Sequence, residues 1–164
     1  TIPISASAHS ASQKQNRWRP RGVAPLVPVH DYAVSTELAR SLQPATVPYA
    51  DAVFNLSRSA LLVAALVQSP ELLFEATEDR LHQHYRASAM PQTAGLIAEL
   101  RAAGHAAVVS GAGPSVLVLA ADPAQRAAAA AIAASRTDAA WRVLNLAVDF
   151  KGATVIEPRV DATP

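Results

Sequence analysis

Asn55 and Arg58 stand in an otherwise apolar run, ADAVFNLSRSALLVAAL at Ala50 to Leu66, and an arginine in such a setting calls for an anion. Arg58 falls one helical turn after Phe54 and one before Leu61 and Leu62, so the spacing turns its guanidinium toward the apolar side. A cation on a buried face is costly unless it meets a negative group, and the planar fork of arginine suits a carboxylate or a phosphate. An internal ion pair with Asp51, Asp79 or another acid satisfies the same pattern, as does an arginine that snorkels out at the helix edge.

A second concentration of chemistry is TEDRLHQHYRASAMP at Thr77 to Pro91, where ionisable and aromatic groups crowd between Glu78 and Arg86. The spacing predicts that a helix gives way to a loop there, a place where side chains line pockets. His82 and His84 are two apart, which sends them to different helix faces, and no third ligand stands at a metal-like interval, so no metal site is expected and both read as solvated histidines. The third feature is Ser110, Gly111, Ala112, Gly113, Pro114, Ser115 between two apolar runs. Its glycines permit positive φ and exposed amides that could meet an anion, and a plain hairpin turn explains them equally well. No lysine follows, as a Walker loop needs, and a strand rather than a helix comes next, against a dinucleotide fingerprint. Scattered histidines and acids offer no nucleophile triad. Two inward arginines and a glycine turn amount to part of an anion pocket.

The elements that must position these groups follow from periodicity. Thr1 to Gly22 has no apolar pattern and is expected to be a poorly packed leader, with a domain over 23–157 and a tail over 158–164. Val23 to His30 reads as a strand, and Pro25 and Pro28, which cannot donate to a ladder, assign it to an edge. Ser35 caps a short helix ending before Pro44, the residues from Tyr49 to Gln68 form the central helix, and Ser69 and Pro70 open another running from Glu71 to about Leu81. Gln92 to Ala103 is a helix stopped by Gly104, His105 to Ser110 and Ser115 to Ala120 are a hairpin, Asp122 caps a helix to Ser135, and Arg142 to Asp149 is a strand. A further short strand is expected over Ala153 to Ile156. The order gives an α+β fold, an antiparallel sheet with helices packed on one face.

Composition narrows the partners. The 164 residues suit one domain, and 14 basic against 13 acidic residues leave a net charge of +1, which argues for neither nucleic acid nor an anionic membrane. There is no cysteine, so disulfides and thiolate metal sites are excluded and a cytoplasmic setting is the default. The longest apolar stretch, Ala60 to Val67, is shorter than the roughly 20 residues of a span. Aromatics are only 5% of the chain while alanine abounds, so close helix packing has to supply what bulky rings do not.

Together the two blocks above and AAVVSGAGPSVLVLA at Ala106 to Ala120 resemble, in order and interval, the homoserine kinases of the GHMP small-molecule kinase superfamily, over about Val27 to Asp149. The resemblance implies a ferredoxin-like C-terminal domain and transfer of the ATP γ-phosphate to the hydroxyl of L-homoserine, with Mg²⁺, in threonine biosynthesis. It implies that Asn55 and Arg58, of an N-x-x-R helix, and Arg86, of a Y-R motif, hold the substrate amino acid, the arginines on its carboxylate. It also implies that Gly111, Ala112, Gly113 and Ser115 form a loop supporting the nucleotide and substrate cleft. The family's phosphate loop, P-x-x-x-G-L-G-S-S-A, does not occur in these residues. ATP and Mg²⁺ are therefore expected to be held mainly by an N-terminal half supplied separately, leaving this half with little kinase activity alone. A non-catalytic amino-acid-binding or dimerising remnant, with a homodimer as its assembly, and a different GHMP kinase are the alternatives.

Overall fold

The computed structural model describes residues 22–149, so the expectations for the leader, for the strand at Ala153 to Ile156 and for the tail lie outside the described residues. The chain runs β1 (Ala24–His30), α1 (Thr36–Ser41), α2 (Tyr49–Val67), α3 (Leu73–Ala76), α4 (Gln83–Arg86), α5 (Pro91–Ala102), β2 (Ala107–Val109), β3 (Val116–Ala120), α6 (Pro123–Ser135) and β4 (Trp141–Asn145). The four strands form one antiparallel sheet in the order β2-β3-β1-β4. This is the α+β architecture that the element order predicts.

The helix ends obey their local chemistry. Ser35 Oγ accepts from the Leu38 N–H at 3.0 Å, and Asp122 Oδ1 accepts from the Gln125 N–H at 2.8 Å. Gly104, at φ +85, lets the Gly104 N–H reach the Arg101 carbonyl and the His105 N–H reach the Leu100 carbonyl, each at 2.9 Å. The helix expected from Glu71 to Leu81 is far shorter. A 3₁₀ turn at Pro70–Leu72 leads into α3, which stops at Ala76. Thr77 Oγ1 donates to the Leu73 carbonyl at 2.8 Å, and Asp79 takes the amides beyond, so short polar side chains outbid the helix for its backbone partners.

β1 does not lie at an edge, as its prolines predict, but between β3 and β4. Alternation explains how it tolerates them. Pro25 faces β4, where its carbonyl accepts from the Leu146 N–H at 3.1 Å. The return bond that proline lacks would end on the Leu146 carbonyl, and Arg126 Nη1 donates there instead at 3.2 Å. Pro28 has the opposite parity and faces β3, whose pairing with β1 covers only Ala24 to Leu26. Neither missing donor leaves a gap in a ladder.

One core lies between the sheet and the α5–α6 layer: Leu26, Val116 and Val118 meet Leu96, Leu100, Ala129 and Ala133, all essentially inaccessible. The alanines let α6 approach closely, so small side chains do the packing that the scarce aromatics cannot. A second cluster, Ala65, Leu73, Ala76 and Ala106 with Leu61, Leu66 and Leu119 around it, ties the C-terminal half of α2 to the β2–β3 pair. Elsewhere on its surface α2 is more open: Tyr49, Val53, Leu56 and Val63 are exposed, Leu56 by 72%. By length and composition alone its 19 residues, with a mean hydropathy of 1.5, suffice to cross a membrane, which reading Ala60 to Val67 by itself did not reveal. Its polar residues are instead tied to the loop after α3, as follows.

Candidate substrate-clamp site

α2 carries Phe54, Asn55 and Arg58 along one side, and the segment after α3 folds back against them. The Arg58 guanidinium lies 4.4 Å from the Phe54 ring centre, and its Nη2 is 3.0 Å from Glu78 Oε2. Its Nε is buried without a hydrogen bond. Arg80 also lies over Phe54, at 3.8 Å, with its Nη1 3.6 Å from Asp51. Asn55 bonds the same segment from both ends of its amide: Nδ2 donates to Asp79 Oδ1 at 2.7 Å, and Oδ1 accepts from the Arg80 N–H at 2.8 Å.

Asp79 is the hub. Besides Asn55, its carboxylate accepts from the backbone N–H groups of Leu81 at 3.0 Å, His82 at 3.0 Å and Gln83 at 2.7 Å, and it lies 3.2 Å from His82 Nδ1. Burial alone would raise its pKa, but the hydrogen bonds from Asn55, Gln83, Leu81 and His82 outweigh burial and hold it at about 2. These bonds start α4, which carries Gln83 and Arg86 toward the sheet. Gln83 Oε1 accepts from the Val109 N–H on edge strand β2 at 2.8 Å, and Arg86 Nη1 donates to the Gly111 carbonyl at 3.2 Å. With its amide oxygen turned toward Arg86, Gln43 accepts from Arg86 Nε at 3.0 Å and donates to the Leu81 carbonyl at 2.8 Å. Asp79, His82, Gln83, Arg86, Val108, Val109 and Gly111 enclose a cleft of about 370 Å³.

The glycine loop is a built turn. The Ser110 N–H donates to the Ser115 carbonyl at 2.8 Å, and the Gly113 N–H to the Ser110 carbonyl at 3.0 Å. Thr93, buried in α5, donates its hydroxyl to the Pro114 carbonyl at 2.6 Å. Its two glycines serve different ends. At Gly113, φ +88, an added Cβ would lie 2.7 Å from Met90 Sδ, whereas at Gly111, φ +62, it would meet nothing within 4 Å. Gly113 lets the turn close on the core, and Gly111 keeps backbone open at the cleft.

Of the residues singled out in the sequence, the structure joins Arg86 directly to Gly111 and links Asn55 to that cluster through Asp79. Ala112 and Ser115 belong to the same turn but do not line the cleft. Arg58 does not line it either; it holds Glu78, the neighbour of Asp79. His82 is turned onto Asp79 rather than left free, and the His84 ring lies 3.8 Å from that of Tyr85. Sequence reasoning missed Asp79, Gln83 and Gln43 as organisers. Asp79 could have been read as an aspartate that bonds backbone N–H groups a few residues on, a turn signal; nothing local marks Gln43. Among the described residues no three histidine, aspartate or glutamate side chains gather as a metal would require.

Residues 59–138 match the family described as GHMP kinases C terminal. The chain is 69% identical over 140 residues to a homoserine kinase of Leifsonia xyli subsp. xyli and 64% identical over 135 residues to one of Clavibacter michiganensis subsp. michiganensis. Those alignments take in 85% and 82% of this chain but 43% of each relative, so the chain spans less than half the length of the curated relatives it matches. Its fold is similar to that of a homoserine kinase crystal structure from Cytophaga hutchinsonii, with a TM-score of 0.70 over 77% of this chain and 42% of that one, at 20% identity. The fold and the matched residues define a GHMP kinase C-terminal domain. Within that class the curated relatives it matches are homoserine kinases, and the chain is similar to the C-terminal half of one.

Proposed function

We propose that this chain supplies the amino-acid clamp of an enzyme that transfers the γ-phosphoryl group of ATP to the side-chain hydroxyl of L-homoserine, in the cytoplasm and in threonine biosynthesis. The observation that carries the reading is Arg86, a guanidinium at a cleft whose floor is the Gly111 backbone. A planar fork there takes a carboxylate in two parallel bonds and fixes the orientation of a small amino acid, so that its far hydroxyl points away from the clamp. Arg58, paired with Glu78, and Asn55, bonded to Asp79, do not line the cleft, and in this reading Arg58 joins the clamp only by exchanging Glu78 for the ligand.

ATP and Mg²⁺ belong mainly to the portion of the relatives that this chain does not span. The open backbone at Gly111 leaves room for a ligand beside the loop, and Ala112, Gly113 and Ser115 support that wall of the cleft, but no cluster of acids among the described residues suits a metal. The exposed apolar side of α2, with Leu56 and Val53, is the surface on which that portion packs, as the chain spans only 43% of its relatives. A membrane and nucleic acid have no part in this reading.

Calorimetry of the chain with L-homoserine tests it. Binding that is lost in an Arg86→Ala variant supports the clamp, and absence of heat in the unaltered chain, alone and mixed with a separately produced N-terminal kinase half, would sink it.

A further inference from the structure

We propose that Asp79 is a positioning residue that sets both arms of the clamp at once, with Asn55 as its anchor on α2 and Gln83 as its strut to the sheet. The ligand named here rests on the clamp reading above; the geometry does not.

The bonds form a continuous path. Asn55 grips the Asp79 carboxylate and the Arg80 N–H together, at 2.7 and 2.8 Å, which fixes the backbone of residues 79–80 against the middle of α2. Glu78 immediately precedes that fixed point, and it is the residue that Arg58 holds. On the other side, the three amides that Asp79 gathers, those of Leu81, His82 and Gln83, turn the chain into α4. The turn sends Gln83 to the Val109 N–H and Arg86 to the Gly111 carbonyl. An edge strand leaves such N–H groups unpaired, so Gln83 both closes part of the edge and ties α4 to it.

Local propensity does not secure this path. α4 has only four residues, too few to be stable from its own hydrogen bonds, so its direction depends on the carboxylate that starts it. The Asp79 side chain is 14% exposed, and its oxygens already meet Asn55, three amides and the His82 ring. It is saturated by the protein and has no capacity left for a substrate, which separates positioning from ligand contact.

The experiment compares the unaltered chain with Asp79→Ala and Asp79→Asn, by ¹H–¹⁵N spectra and by calorimetry with L-homoserine. In Asp79→Ala the resonances of the Val109 and Gly111 amides and of Arg86 Nε–H should move, although Asp79 hydrogen-bonds none of them, while those of α5 and α6 stay in place. Homoserine affinity should fall about tenfold, the loss expected when charged hydrogen bonds no longer hold a binding group. Asp79→Asn keeps one acceptor oxygen for the amides and should recover part of both signals. Unmoved Gly111 and Arg86 resonances in a folded Asp79→Ala chain overturn the proposal; should that variant not fold, the same resonances in Asp79→Asn decide. An unaltered chain that takes up no homoserine, alone and mixed with the N-terminal half, removes the clamp reading, and the spectra still settle whether Asp79 positions Arg86.

Discussion

Arg58 Nη2 lies 3.0 Å from Glu78 Oε2, so the guanidinium that α2 offers already holds a carboxylate of its own chain. Of the two partners the sequence allowed, the structure shows the internal one. Under the proposed clamp, a ligand carboxylate at Arg58 would have to compete with Glu78.

Replacing Glu78 by glutamine should free that fork at small cost. The two side chains are 25% and 39% exposed, and a pair so open to solvent contributes less than about 1 kcal/mol. Denaturant unfolding of Glu78→Gln should show a loss below that limit, while homoserine affinity in calorimetry rises up to about fivefold. Weaker binding in this variant would mean that Glu78 serves the ligand and does not compete with it.

The two glycines of the loop should respond differently to alanine. Both have positive φ, which costs about 1 kcal/mol for a residue with a Cβ. Gly113→Ala also drives that Cβ to 2.7 Å from the buried Met90 sulfur, for a total of about 3 kcal/mol, whereas Gly111→Ala meets open space. Thermal unfolding of the pair checks this, with Gly113→Ala melting well below Gly111→Ala.

Acid should test Asp79. Its folded pKa of about 2 lies below the ordinary 3.8, so in the window between them the unfolded chain binds the proton more readily. The contribution of Asp79 to stability is thus complete above the higher value and is lost as pH falls toward the lower one. In Asp79→Asn the stability–pH curve should be flatter across that window, measured by urea unfolding at a series of pH values. A curve of unchanged slope would show that the carboxylate is not held as described.

Burial should rank leucines that look alike in the sequence. Leu100 is fully buried between α5 and the sheet, and its change to alanine should cost about 2–5 kcal/mol. Leu56, in α2, is 72% exposed, and the same change should stay within about 0.5 kcal/mol in the isolated chain. Urea midpoints of the two variants decide the order.

The sequence by itself determined the elements whose signals are local. Ser35, Asp122 and Gly104 mark helix ends through bonds to residues three to five positions away, and the β-branched, aliphatic run from Val116 to Ala120 gives a strand. The family was legible as well, because three blocks keep their order and spacing. What only the tertiary structure decided depends on partners distant in the chain. Pro25 occupies an inner strand because Arg126 donates to Leu146 in its stead, and α3 ends early because Thr77 and Asp79 claim backbone groups that a helix would use. Arg58 found Glu78, Arg86 found Gly111, and Asn55 found Asp79, each across 20 or more residues, intervals at which periodicity carries no information. A hydrogen bond needs its two atoms within about 3 Å, and only the folded packing of α2, α4 and the sheet brings them so close.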